Sequence, residues 1–493
     1  MLRKKTYSTG LYLLILFFLI PFRAFSQNSG SESESTEVVA DENEVEKEVE
    51  VDRRKEVLLY GIDNEVKSVL SDLQREKLDT YNDILTSVIS ETRNTDIIQG
   101  IYRLWDETSY SAGLDIAREE LLRVTEDGDF NPESVQSAIA FIAGQKDRDS
   151  LALLYELAGE RDSRLAAAAI RAIGKISQVE RPAATEATEA TEATESTEST
   201  ESTEDPAQKL LERLEKEDPV AEDDLVAALI VTLGDLRYLP AAPELVEIAE
   251  DTGGSAGHRR LSCISLGKIG RDEDFEIVER IYFEAEDATL RSYALAGLAD
   301  FPGKDTGDIL IQALKRDSFW RIRVTAAEKL SGCKGEGIAD LLRYKASNDP
   351  VTQVRIASLK ALGASGAPEN SDFLLDYFTD RKNGTDVRLA CLSVLVENRI
   401  PGTLDAVDSV MDELWDKDEG RFLEFVCRDL SRSEWPELEP VYKRMLDHSN
   451  WLLQIYGIRG IRRNSLVNLQ AAVEELDKDG VDGRVRREIT SVQ

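Results

Sequence analysis

The chain has 493 residues and sets 60 Lys and Arg against 95 Asp and Glu, a net charge of −35. A field of that sign repels nucleic-acid phosphates and anionic membrane surfaces, so it argues against both as partners, while on a long chain it favours solubility. Several globular domains would be the ordinary expectation for this length, but a chain built by adding like units escapes the size limit on a single core.

Residues 1–26 have the form of a secretory signal: Arg3, Lys4 and Lys5 at the start, an unbroken apolar run from Leu11 to Ile20, and small residues in Ala24-Phe25-Ser26. That run is about half of the roughly 20 residues that a bilayer span requires, so no integral membrane span is expected. Cleavage before Gln27 removes four basic and no acidic residues and takes the net charge from −35 to −39. No cysteine stands at the cleavage position to carry a lipid. The expectation is a soluble product secreted across the inner membrane into a bacterial periplasm.

Residues 27–55 read as an acidic, disordered spacer, because Ser29 to Glu50 is rich in Ser and Glu and poor in core-forming side chains. From residue 56 the pattern becomes helical. Val57, Leu58, Ile62, Val66, Val69, Leu70 and Leu73 recur at helical spacing, then Ile84, Leu85, Val88 and Ile89, then Ile97, Ile98, Ile101 and Leu104. Residues 56–177 are read as divergent N-terminal repeats, divergence being expected where a terminal unit faces solvent. Residues 178–207 hold a low-complexity acidic insertion, TEA three times followed by TES three times, whose triplet period suits neither helix nor strand. It reads as a flexible tether, with glycosylation of its Ser and Thr as the alternative.

Residues 208–493 form the regular array. The positions equivalent to Leu165 are Leu225, His258, Leu290, Ile322, Val354, Val387, Phe422, Leu453 and Val485, mostly 32 or 33 residues apart, and a second apolar helix such as Ile309-Leu310-Leu314 precedes each. Arg259, Arg291, Arg323, Arg355 and Arg388 follow five of these positions in a ladder; Ala166 and Val226 replace the arginine in earlier units. Two helices per period of about 32 residues specify an all-α fold, an α-solenoid of stacked helical hairpins, because one hairpin cannot bury its own apolar face.

Asp287 to Ala294, which reads Asp-x-x-Leu-Arg-x-x-Ala, with Val354-Arg355-Ile356-Ala357 and Leu266-Gly267-Lys268-Ile269-Gly270, resembles the HEAT repeat, and in particular the short HEAT-like repeats of phycobilisome lyases. The resemblance runs from about Val135 to the C-terminus. It implies a protein-binding scaffold, and it implies that the ladder arginines pair with acidic groups or turn carbonyls of their own or adjacent units; Asp287, Asp317, Asp349 and Asp386 stand nearby. A ligand-binding ladder is the alternative.

Chemistry-bearing motifs are sparse. There are two histidines, His258 in an apolar slot and His448 in a turn, and no CxxC, phosphate loop or GxSxG. Asp127-Gly128-Asp129-Phe130-Asn131 begins like a calcium loop, but Pro132 and Ala138 occupy its glycine and acid positions. Besides Cys333, the chain has Cys263, Cys391 and Cys427, which lie on small apolar faces; helices stacked about 8–10 Å apart are too distant for disulfides, so free thiols are expected. Catalytic, metal and cofactor residues are therefore read as none, and the protein as no enzyme. Arg459, Arg462 and Arg463, with Arg484, Arg486 and Arg487, are either a basic patch or solvated helix faces. Trp415 and Trp435, beside charged turns, are the candidate partner-binding residues, since aromatic anchors are enriched at binding hot spots. The reading is an exported, non-enzymatic scaffold with protein partners; the alternatives are a lyase-like enzyme or cofactor-handling protein, and a passive envelope spacer.

Overall fold

The computed structural model describes residues 53–490 except 77, 126–129, 178–205, 219–223, 334, 336, 418–420 and 478–480. The signal-like segment, nearly all of the acidic spacer and most of the TEA/TES insertion lie outside these residues. The first described helix is already formed at residue 53, three residues inside the stretch read as spacer, and the helix after the insertion starts at Pro206, two residues inside the stretch read as tether.

Thirteen helical hairpins follow one another among the described residues. The first helices, row A, are residues 53–60 (α1), Asn82–Glu91 (α3), Gly113–Thr125 (α5), Leu151–Leu157 (α7), Pro206–Leu214 (α9), Ala242–Glu250 (α11), Phe275–Glu284 (α13), Gly307–Arg316 (α15), Ile338–Asn348 (α17), Ser371–Thr379 (α19), Thr403–Leu414 (α21), Glu439–Leu446 (α23) and Gln470–Glu474 (α25). The second helices, row B, are Asp63–Glu76 (α2), Thr95–Thr108 (α4), Pro132–Gly144 (α6), Ser163–Ser177 (α8), Asp224–Asp235 (α10), Ala256–Ile269 (α12), Ala288–Leu298 (α14), Trp320–Leu330 (α16), Thr352–Ala364 (α18), Thr385–Glu397 (α20), Phe422–Leu430 (α22), Trp451–Arg463 (α24) and Gly483–Thr490 (α26). From α4 to α24 each B helix packs on its own A helix and on the B helices before and after it, and α2 and α26 pack on the B helix next to them.

Local chemistry starts the B helices. Asn94, Asn131, Asp162, Ser255, Asp287 and Asn450 each stand just before a B helix and accept from one or two of its first backbone N–H groups. Those groups have no partner within a helix, and capping them is worth about 1 kcal/mol. The slot residues Leu165, Leu225, Leu290, Ile322, Val354, Val387, Leu453 and Val485 are all buried, so the register read from spacing is the packing register. His258 fills the same slot and is buried; Phe422 is half-buried.

Small residues let neighbouring B helices meet backbone to backbone. A β-carbon on Gly267 of α12 would lie 2.1 Å from the Gly297 carbonyl oxygen of α14, and one on Gly297 would lie 2.1 Å from the Cys263 carbonyl oxygen. Hydroxyls tie the same row together: Thr232 Oγ1 donates to the Ile170 carbonyl at 3.0 Å, and Ser265 Oγ to the Ile230 carbonyl at 2.9 Å. Row A is looser, with a cleft of about 550 Å³ between α13 and α15 lined by Phe283, Ile309 and Arg316. When one row of a stack is spaced more closely than the other, the closer row is on the inside of the curve, so row B forms the inner face here.

Because the clash at Gly297 is with backbone, no rotamer change relieves it. Gly297→Ala is expected to destabilise the chain by about 1–3 kcal/mol or more in urea unfolding. Gly384→Ala, whose β-carbon meets nothing within 4 Å, is expected to stay within about 0.5 kcal/mol.

Candidate functional site

The arginine ladder closes the hairpins. Arg259 Nε donates to the Ala249 carbonyl at 3.1 Å, Arg291 Nη1 to Ala285 at 3.3 Å, Arg323 Nη1 to Asp317 at 2.9 Å, Arg355 Nε to Ala346 at 3.0 Å and Arg388 Nε to Phe378 at 2.7 Å. All five acceptors lie at the C-terminal end of the A helix of the same hairpin, where carbonyls are left over and the helix dipole is negative. The side chain standing one place after the buried slot is therefore a C-cap for the preceding helix. The second partner varies. Arg323 also makes a two-pronged ion pair with Asp349 of the next hairpin, at 3.0 and 2.9 Å. Arg291 approaches Asp317 at 3.9 Å, Arg355 donates to the Tyr377 hydroxyl at 2.7 Å, and Arg388 lies 3.9 Å from the centre of the Phe422 ring. Burial, with Arg381 nearby, pulls the Arg388 guanidinium below its ordinary pKa. Asp287 pairs with Arg260 rather than with a ladder arginine, and Asp386 ion-pairs with none of the five.

The candidate aromatics separate. Trp435 is only 8% exposed and sits among core side chains, so it offers a partner almost no surface. Trp415 is half-buried and internally engaged: the Arg444 guanidinium lies 4.5 Å from its ring centre, and the His448 ring meets it edge-on at 4.5 Å. His448 accepts the Asn450 backbone N–H on Nδ1 at 2.9 Å, which leaves Nε2 to donate to the Trp415 carbonyl at 3.0 Å. The basic residues near the C-terminus are occupied as well: Arg459 and Arg462 on Glu488, Arg463 on Glu434, Arg484 on Asp482 and Arg486 on Asp477. Arg487 donates to the Gly483 carbonyl.

What remains on the inner face is a strip that the spacing argument missed. Three and six places after the buried slot, row B carries Leu261 and Ile264 on α12, Tyr293 and Ala296 on α14, and Val231 on α10, all half-buried or exposed. Tyr293 is 36% exposed. Ion pairs border the strip: Lys268 to Asp235 at 2.6 Å and Lys329 to Asp300 at 2.8 Å along one edge, and Arg260 to Asp287 at 2.7 Å along the other. Further along, the same sixth position carries Glu328 and Lys360, both exposed, so the run of apolar sixth positions ends at α14. The register could have located it, through the search for large apolar side chains at positions that do not serve the stack.

All four cysteines are free thiols. Burial pushes Cys263, Cys391 and Cys427 up to about 12, whereas half-buried Cys333 is raised by burial and by Asp305. Asn131, in the calcium-loop-like stretch, caps α6, and no His, Cys, Asp and Glu group among the described residues has metal-holding geometry. Nor is any described helix long and apolar enough to cross a membrane.

The model for spirochaete HEAT repeat proteins matches residues 58–492. The chain belongs to this family. Among solved structures, the HEAT protein is similar to the complex of CpcE and CpcF of phycocyanin lyase from Nostoc, at 17% identity over 54% of this chain and 94% of that one, with a TM-score of 0.32. Kap121p matches at 13% identity over 94% of this chain and 55% of its own length, TM-score 0.35. Human deoxyhypusine hydroxylase in complex with glycerol matches at 16% identity over 66% and 96%, TM-score 0.23. No curated protein matches the chain at a significant level.

Two predictions follow from this geometry. In Asp349 burial alone would raise the carboxyl, but hydrogen bonds from Arg323, the Val351 N–H and Lys345 outweigh it and hold the group below its ordinary value. A depressed carboxyl stabilises fully above the unfolded value of about 4, and that contribution is lost as pH falls below it. Arg323→Ala is expected to cost about 3–5 kcal/mol by urea unfolding, against less than about 1 kcal/mol for the exposed pair removed by Arg260→Ala; the deficit of Asp349→Asn should be full at neutral pH and shrink below about pH 4. In an Ellman titration of the native protein, Cys333 should be the accessible thiol, with Cys263, Cys391 and Cys427 reacting only after denaturation.

Proposed function

We propose that this HEAT protein is an exported, non-enzymatic scaffold that binds other proteins along its inner face. The carrying observation is the apolar strip of Val231, Leu261, Ile264, Tyr293 and Ala296. Its side chains stand on helices fixed by backbone contact, and ion pairs rim them, the pattern of an apolar centre with a polar border that binding surfaces share. A face already ordered in the free protein loses little conformational freedom on binding. Export rests on the signal-like form of residues 1–26, and the periplasm on the same segment. The two histidines support a non-enzymatic reading, since His258 is buried and both ring nitrogens of His448 are engaged with backbone groups.

The test places a photo-crosslinking residue at Tyr293 in the full chain, expressed in the envelope of its source cell. The expected outcome is one dominant captured protein, reduced at least tenfold by Ile264→Asp and not captured by the same crosslinker at Phe283 on row A. Equal capture at both positions, or none above background, would remove the strip as the binding surface.

A further inference from the structure

Between α4 and α6 lies a groove of about 460 Å³, lined only by side chains of these two helices. The cause is the size of the interface residues. Where α12 meets α14, glycine faces glycine and the backbones touch; where α4 meets α6, the Tyr102 and Phe141 rings stack at 5.4 Å between centroids with planes 28° apart. Trp105 backs both rings, at 5.8 Å from Tyr102 and 6.2 Å from Phe141, and its Nε1–H donates to Asn82 at 3.1 Å, so the wedge is firmly seated. Toward the C-terminal ends of the two helices the Asp106 side chain lies against Gly144, where a β-carbon would fall 2.2 Å from Oδ1.

Its chemistry is two-layered. Exposed Ala140, with the nearly buried Tyr102 and Phe141 beneath it, supplies an apolar floor. Asp96, Asp106 and Glu133 supply three carboxylates at the rim, against one guanidinium, Arg103. Asp96 is contacted by Lys67 at 3.1 Å and Asp106 accepts from Gln145 Nε2 at 2.7 Å, while Glu133 has no ion-pair partner among the described residues. An apolar floor under an acidic rim fits a side chain with an aliphatic stem and a cationic head, which buries the stem and keeps the head at the edge. Gln99 and Gln136 stand beside it with hydrogen-bonding groups for a peptide backbone, while the Ser137 hydroxyl donates to the Glu133 carbonyl at 2.9 Å. The chain's charge of −35 draws a basic partner in the same direction.

We infer that the α4–α6 groove receives a lysine or arginine side chain from an extended segment of a protein partner, a second anchor point on the inner face beyond the apolar strip. This deepens the scaffold reading and rests on it. The probe is a phage-displayed library of random dodecapeptides selected on the immobilised full chain, with the winning peptides then synthesised and their Kd measured by fluorescence polarisation. Winners should carry a Lys or Arg whose replacement by norleucine or citrulline weakens binding at least tenfold. The double variant Asp96→Asn with Glu133→Gln, which removes charge and keeps shape, should weaken them at least tenfold, and so should Ala140→Phe, which adds bulk at an exposed lining position; Tyr344→Ala, an exposed side chain of row A outside both surfaces, should leave them unchanged. Winners without a required basic residue, or winners indifferent to the double variant, overturn the groove. If winners respond to Tyr293→Ala and not to the groove variants, the groove falls and the scaffold reading stands. If no peptide is selected on either face, both fall.

Discussion

The contact on which everything else rests is the meeting of one B-helix backbone with the next. The Gly297 carbonyl occupies the space that a β-carbon on Gly267 would need, and the Cys263 carbonyl does the same to Gly297. At such a distance the helices have little freedom to slide or rotate, because any displacement drives backbone into backbone. The hydroxyl bonds from Thr232 and Ser265 to carbonyls of the preceding helix then fix the axial register. Stability in this kind of stack is a sum over neighbours, so each glycine contact carries the alignment of the units beyond it.

The arginine ladder solves a different problem. Every hairpin has an A helix whose last carbonyls point toward the turn, and a turn of few residues has little with which to satisfy them. An arginine placed just after the buried slot of the B helix reaches back to those carbonyls and spreads its remaining donors to whatever the next unit presents: the Asp349 carboxylate, the Tyr377 hydroxyl or the Phe422 ring. The constant half of each interaction lies inside the hairpin and the variable half lies between hairpins, which is why the arginine recurs in all five units and an acidic partner in only two, Asp317 and Asp349. Arg323 shows the limit of the arrangement, fully enclosed and held by two carbonyls and a carboxylate.

The interaction surface emerges where the stacking rule is relaxed. Across α10–α14 the sixth position after the slot, with Tyr293 at the third, carries apolar side chains left half-buried or exposed, and across α4–α6 bulky rings stand between two helices. Both features lie on row B, the side on which close spacing gathers side chains from successive units. The aromatic residues of the C-terminal half behave otherwise. Trp415 is enclosed by Arg444 and His448, Trp451 lies under Arg484 at 3.5 Å, and Trp435 is in the core, so that abundance of aromatics marks packing there rather than an open surface.

The amino-acid sequence by itself determined the period, the pairing of helices, the buried slot and the places of the ladder arginines. All of these depend on spacing along a helix and on the small residues that let helices touch, and both are properties of a local run of the chain. Tertiary structure alone decided which acid each arginine meets, that Trp435 is enclosed, and that the paired arginines near the C-terminus form no open basic patch. It alone also opened a groove between Tyr102 and Phe141, residues that are 39 positions apart and each ordinary on its own helix. The division follows from the physics: a repeat fixes what faces inward in every unit, whereas the accessible surface depends on how closely two units approach, and that distance is set by side chains from both.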